Sequence, residues 1–285
     1  MITEKVLTNI KNMSPVNKKI AKYLLDNKQE FGLSTIDEIS KKIAVSHASL
    51  VRFSRLLGFS GFYEMKKSIQ DEIRKKLNPY EKIKTSKLDE LSKEKQFKVF
   101  SKNEFSNITQ TLKEVNFQNI SIFLEKVNTA NIIYVSGFGM SRFLSSILAY
   151  GLNNLLKKPV LQINGAISDF VFMLNKVTNE STVINYSFPP YSKESFYISK
   201  IAKKKNCDQI LFTDSKTCPL HIDSKCTFIC KNDSSLLTNS LSSPIILTQI
   251  LLQMIVLLEK EEKENYLTQV FKNELAAYEE YYKGD

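Results

Sequence analysis

A chain of 285 residues, 42% hydrophobic and 25% charged, has room for two domains and the composition of an ordinary soluble protein. The net charge of +10 is uneven: residues 1–77 hold fifteen Lys and Arg against eight Asp and Glu, and residues 78–285 carry twenty-five against twenty-two. Such a balance excludes several classes: no signal peptide is recognisable, the longest apolar run (244–258, interrupted by Thr248, Gln249 and Gln253) is too short to span a bilayer, and Cys207, Cys218, Cys226 and Cys230 form no CxxC pair, so buried free thiols are expected rather than zinc.

Ser14 followed by Pro15 predicts a helix start, with Ser as cap and Pro in the first turn. Val16, Ile20, Ala21, Tyr23 and Leu24 form its apolar stripe, and it should end near Asn27, leaving Phe31 and Leu33 in a connection. Thr35 and Glu38 then have capping-box spacing, and Ile36, Ile39 and Ile43 follow at helical intervals. Ala44-Val45-Ser46 reads as a tight turn whose Ser46 caps the next helix. Leu50, Phe53 and Leu57 point inward from that helix, and Gly58 closes it. His47, Ala48, Ser49, Arg52 and Arg55 are left facing outward, and such residues reach base edges and phosphates when the second helix of a helix-turn-helix enters a major groove. The concentration of positive charge in this first quarter fits a domain that meets phosphates. A further helix over 63–76 carries Lys66 and Lys67 where they could touch the DNA backbone.

Asn78-Pro79 should break that helix, and the lysine-rich stretch 80–103 has no convincing single period, so it is read as a linker. The boundaries expected are a helix-turn-helix domain over 1–77, a linker over 78–103 and a second domain over 104–285. After a helical region to about residue 128, short β-branched runs alternate with helical stretches. Strands are expected at 131–136, 159–163, 181–186, 209–213 and 226–230. Helices are expected at 142–156, 167–174 and 192–205, with closing helices at 244–258 and 265–282. This alternation predicts an α/β domain with a five-stranded parallel sheet covered on both faces.

In such a sheet ligands bind beyond the carboxyl ends of the strands, and two loops there carry suitable chemistry. Gly137-Phe138-Gly139-Met140-Ser141 offers close backbone approach at Gly137 and Gly139 and a hydroxyl, Ser141, at the next helix start. In the loop running from Ser187 through Phe188, Pro189, Pro190 and Tyr191, Ser187 ends a strand, Ser192 can cap the following helix, and Glu194 lies in its first turn.

Residues 14–75, with the run IAVSHASLVRFSRLLGFSGFYEMKKSI, resemble the amino-terminal helix-turn-helix of the RpiR family of bacterial transcriptional regulators. The stretch from about 107 to 262 resembles the sugar isomerase (SIS) domain that the family places second. The resemblance implies a cytoplasmic homodimer or homotetramer that binds double-stranded operator DNA, senses a phosphorylated sugar, has no membrane partner, and acts in most cases as a repressor. The family's SIS loops read GxGxS and SxSGxTxE. The first stands intact, so Ser141 takes the place of the phosphate-binding hydroxyl. In the second, Ser187, Ser192 (for Thr) and Glu194 hold their places, while Pro189 and Pro190 replace the middle Ser and the Gly. Those two prolines remove a hydroxyl and backbone donors.

The same fold occurs in phosphosugar isomerases, which need a general base. The chain has two histidines, His47 in the recognition helix and His221 in a loop, and Glu194 is the remaining candidate near the ligand edge. No acid–base pair is visible, so the expectation is a regulator rather than an enzyme, with no cofactor and no metal.

Overall fold

The computed structural model describes residues 2–10, 13–77, 79–216, 218–258 and 260–282. The chain forms two compact units: residues 1–96 with the short segments 217–219 and 235–238, and the remainder.

The first unit is helical: α1 (Ile2–Asn9), α2 (Pro15–Asp26), α3 (Lys28–Leu33), α4 (Ile36–Lys42), α5 (His47–Leu56), α6 (Phe62–Leu77) and α7 (Pro79–Thr85). Ser14 accepts from the Asn17 N–H to start α2. Thr35 and Glu38 form a reciprocal capping box on α4, and Ser46 accepts from the Ser49 N–H to start α5. One core joins Ile20, Leu24, Phe31, Ile39, Leu50, Phe53, Met65 and Ile69. Two expectations are corrected. Phe31 lies in helix α3 rather than in a loop, and Val16 is exposed, leaving the stripe of α2 to Ile20, Ala21 and Leu24. Helix α1, which the sequence did not announce, buries Ile2 and Val6 in the same core. Asn78, the expected helix breaker, lies outside the described residues.

At the end of the first unit a short 3-10 turn at Leu88–Glu90 leads to α8 (Lys93–Glu114). The chain passes from the first unit to the second inside this helix, after Gln96.

The second unit continues with α9 (Phe117–Thr129), β1 (Ile132–Gly137), α10 (Ser141–Leu155), β2 (Val160–Ile163), α11 (Ile167–Leu174), β3 (Ser181–Tyr186), α12 (Lys193–Lys204), β4 (Asp208–Thr213), β5 (Cys226–Ile229), α13 (Ser242–Val256) and α14 (Lys260–Tyr282). The five strands are parallel in the order β2-β1-β3-β4-β5. Strand β3 is buried along its whole length, as expected for a strand covered on both faces. On one face Val135, Ile184, Tyr186 and Phe212 pack against residues of α9, α10 and α13. On the other, Tyr134, Ile163 and Val183 pack against Phe170 and Leu174 of α11 and Ile198 and Ala202 of α12. All four cysteines are buried, and burial drives the Cys207 and Cys226 thiols up to about 12.

Candidate functional sites

Helix α5 presents Ser46, His47, Ala48, Arg52 and Arg55 to solvent, with Ala48, Arg52 and Arg55 four and three residues apart on one face. The rest of the helix is sunk in the core through Leu50 and Phe53. Ser49 departs from expectation: only 8% exposed, its hydroxyl lies 2.9 Å from Ser46 Oγ and accepts from Arg52 Nη2 at 3.2 Å. It is placed to orient Arg52 rather than to face outward. His47 Nε2 sits 3.0 Å from Asp37 Oδ1 on α4, and Arg55 Nε donates to the Ser60 carbonyl at 3.4 Å. Lys66 lies beside Glu38, whose carboxyl is held below its ordinary range by the Thr35 N–H and hydroxyl, with Lys66 adding a smaller part. Lys67 lines a hollow with Glu64, Asp71 and Glu72. Lys66 and Lys67 thus stand among acidic side chains as well as basic ones such as Lys28 and Lys82.

In the second unit the strand order reverses at β1, so the β1/β3 boundary is the topological switch point where an open parallel sheet forms its ligand crevice. Both expected loops leave the sheet there, since Gly137 is in register with Tyr186. A Cβ on Gly137 would lie 2.3 Å from the Ser141 carbonyl oxygen, so glycine is the residue that lets the loop fold back so closely. Gly139 adopts φ +56°, in the left-handed region. Ser141 is the first residue of α10 and is 7% exposed, and its hydroxyl makes no hydrogen bond among the described residues.

Across the boundary, Ser187 is 3% exposed and its Oγ is buried without a partner. Ser192 caps α12, accepting from the Ser195 N–H at 3.1 Å, and Glu194 is half-buried in the first turn. Helix α12 thus directs the partial positive charge of its amino terminus at the same edge. The Pro189-Pro190 peptide is cis. The loop is held from outside by Asn239 Nδ2, which donates to the Pro189 carbonyl, and by Asp214 Oδ1, which accepts from Tyr191 OH at 2.7 Å. One strand turn below, Ser136 Oγ donates to Asn185 Oδ1, a buried polar pair that bridges β1 and β3. Sequence reasoning passed over Asn185 and Asn239. For Asn185 the signal was an amide side chain between Ile184 and Tyr186 near the carboxyl end of a strand; for Asn239 there was none, because its partner is 50 residues away.

His221 lies elsewhere. It follows β4 in a 3-10 turn, and its Nδ1 is 2.8 Å from Thr227 Oγ1 on the edge strand β5. It lines a cavity of about 280 Å³ with Asn119, Lys216 and Ser224. Among the described residues no cluster of three His, Cys, Asp or Glu side chains could hold a metal, and no helix is long and apolar enough to cross a membrane.

Comparison with known proteins agrees with this division. Residues 1–76 match the model of the helix-turn-helix domain of the rpiR family, and residues 126–254 match that of the SIS domain. A helix-turn-helix transcriptional regulator of Haemophilus influenzae is 25% identical over 225 residues, covering 77% of this chain and 76% of its own length. Another, from Providencia stuartii, is 23% identical over 229 residues, covering 74% of each. Among solved structures, NanR of Vibrio vulnificus, complexed with ManNAc-6P, shares the fold with a TM-score of 0.63 at 15% identity, over 97% of this chain and 99% of its own. The sugar isomerase domain of an RpiR transcription factor from Sphaerobacter thermophilus has a TM-score of 0.58 at 21% identity, over 61% of this chain and 96% of its own.

Proposed function

Given that the chain belongs to the RpiR family of helix-turn-helix transcriptional regulators with a SIS domain, we propose that it represses genes of sugar metabolism and is controlled by a phosphorylated sugar. The effector site is assigned to the β1/β3 crevice, with Gly137, Gly139, Ser141, Ser187, Ser192 and Glu194 around it. The observation that carries this assignment is that Ser141 and Ser187, whose hydroxyls have no partner among the described residues, both lie at one switch point beside the amino terminus of α12. Operator reading is assigned to Ser46, His47, Ala48, Arg52 and Arg55, with Ser49 orienting Arg52 and with Lys66 and Lys67 as weaker backbone contacts. Two such helices, one from each protomer of a cytoplasmic dimer, would reach half-sites about 34–36 Å apart or a multiple of that.

We read the chain as a regulator and not as an isomerase. Proton transfer between adjacent carbons needs a base within hydrogen-bond reach of the substrate. His47 belongs to the recognition helix and His221 to the far edge of the sheet, which leaves Glu194 without an acid partner. A thermal-shift series with sugar phosphates, each beside its unphosphorylated parent, tests the assignment. A ligand at 100 times its Kd adds about 2.7 kcal/mol. The midpoint should rise with a phosphosugar and not with its parent, without aldose–ketose conversion of the bound sugar. Equal response to both members of every pair would refute a phosphate-directed site.

A further inference from the structure

The loop 230–241, between β5 and α13, lies outside both sites, yet its polar groups are tied down at both ends. Asn239 Nδ2 donates to the Pro189 carbonyl, in the loop after β3, while Asn239 Oδ1 accepts from Asn232 Nδ2 at 3.1 Å. On its other side the loop is fastened to α8. The Asp233 carbonyl accepts from Asn103 Nδ2 at 2.8 Å and from Asn107 Nδ2 at 2.7 Å. The Lys231 N–H donates to Thr111 Oγ1 at 2.8 Å, and Ser240 Oγ donates to the Glu104 carboxylate. Asn107, Thr111 and Ser240 are buried, where hydrogen bonds are costly to leave unmade.

Two features give this network a direction. Pro189 and Pro190 have no N–H to hold their own loop, so its position depends on donors from outside such as Asn239. Helix α8 is also the segment through which the chain runs from one unit to the other: its first four residues belong to the helical unit, and those from Phe97 onward to the SIS unit.

The geometry points to loop 230–241 as the coupling element of the regulator, with Asn239 as a positioning residue that links the effector loop to α8. Filling the crevice changes the position of 187–192, the Asn239 bond passes that change to the loop, and Asn103, Glu104, Asn107 and Thr111 pass it to α8. This inference rests on the proposed effector site. A ligand shifts α8 only as far as it prefers one arrangement of the loop over the other.

The test is hydrogen–deuterium exchange on the full chain with and without saturating inorganic phosphate, which probes the phosphate subsite. In the wild type, phosphate should slow exchange over 187–194 and, by about fivefold or more, over 97–112. In Asn239→Ala the first response should persist and the second should fall below about twofold. Ser240→Ala, which cuts the link to Glu104 without touching the effector loop but leaves the bonds to Asn103, Asn107 and Thr111, should keep the first response and lower the second, and decides the matter if Asn239→Ala folds poorly. An undiminished α8 response in both variants, or protection of 187–194 in the wild type with none over 97–112, overturns the coupling. Lack of protection at 187–194 in the wild type refutes the site itself, a failure upstream of Asn239, and the coupling with it.

Discussion

A serine hydroxyl buried without a partner costs about 1–3 kcal/mol, and Ser187 carries that cost at the edge where a ligand would bind. Ser187→Ala should therefore leave the free protein as stable as before or slightly more so, while shrinking the phosphosugar-induced rise in melting temperature. A merely structural serine would lower the free protein's midpoint and leave the ligand shift alone. At the other site, Arg52→Ala should weaken binding to specific DNA by about 1–3 kcal/mol. Ser49→Ala should cost less and mainly blur sequence choice, because it frees Arg52 without removing it. Competition between selected and random duplexes measures both effects. Most of these residues could be read from type and spacing. Ser49 could not be placed, since on a helix whose exposed and buried faces meet at Ser49, position alone does not say whether a small hydroxyl faces a groove or a neighbouring side chain.

Among the elements, the strands were the most legible, because their short length and β-branched and aromatic side chains decide an apolar run in favour of a strand buried on both faces. Helices α1 and α3 were missed for opposite reasons. The first is a single eight-residue segment, and the second is six residues long and follows α2 across one residue, Asn27, that makes no side-chain cap. The start of α8 read as linker because it is rich in lysine and its apolar residues Phe97, Val99 and Phe100 are exposed rather than gathered on one buried face. Helix α1 is anchored by charge as well as by packing. Glu72 on α6 accepts from the Ile2 N–H and from Lys28 Nζ on α3, each at 2.5 Å. Burial pushes the Glu72 carboxyl up, but Lys28 and the Ile2 N–H outweigh it and hold it below the ordinary range. Its stabilising effect is complete above the unfolded value, about 4.3, and is lost as pH falls through the lower folded value. Acid unfolding followed by circular dichroism should show the helical unit of Glu72→Gln already weakened at neutral pH and losing less on acidification than the wild type. In the second unit, Gly137→Ala should lower the melting temperature and blunt any ligand shift, because its Cβ would meet backbone that cannot rotate away.

At the scale of the whole molecule, the charge asymmetry read from the sequence and the two compact units agree on a division of labour. In the proposed function the basic first quarter meets DNA and the nearly neutral remainder meets the effector. DNA affinity should fall steeply with salt, with a slope of about −0.9 per phosphate neutralised, whereas phosphosugar binding should depend on salt far less. The hydrogen bonds that tie loop 230–241 to α8 were invisible in the sequence, because their partners lie more than a hundred positions apart, as Asn107 and Asp233 do.

The most direct measurement is a DNA-binding titration of the full chain by fluorescence anisotropy, on a duplex selected from a random pool, with and without the phosphosugar that raises the melting temperature. The phosphosugar should move the binding midpoint by about fivefold or more, its unphosphorylated parent should not, and Ser141→Ala should abolish the shift while leaving DNA affinity in its absence unchanged. A midpoint indifferent to every phosphosugar that binds, or an undiminished shift in Ser141→Ala, would contradict the proposed function.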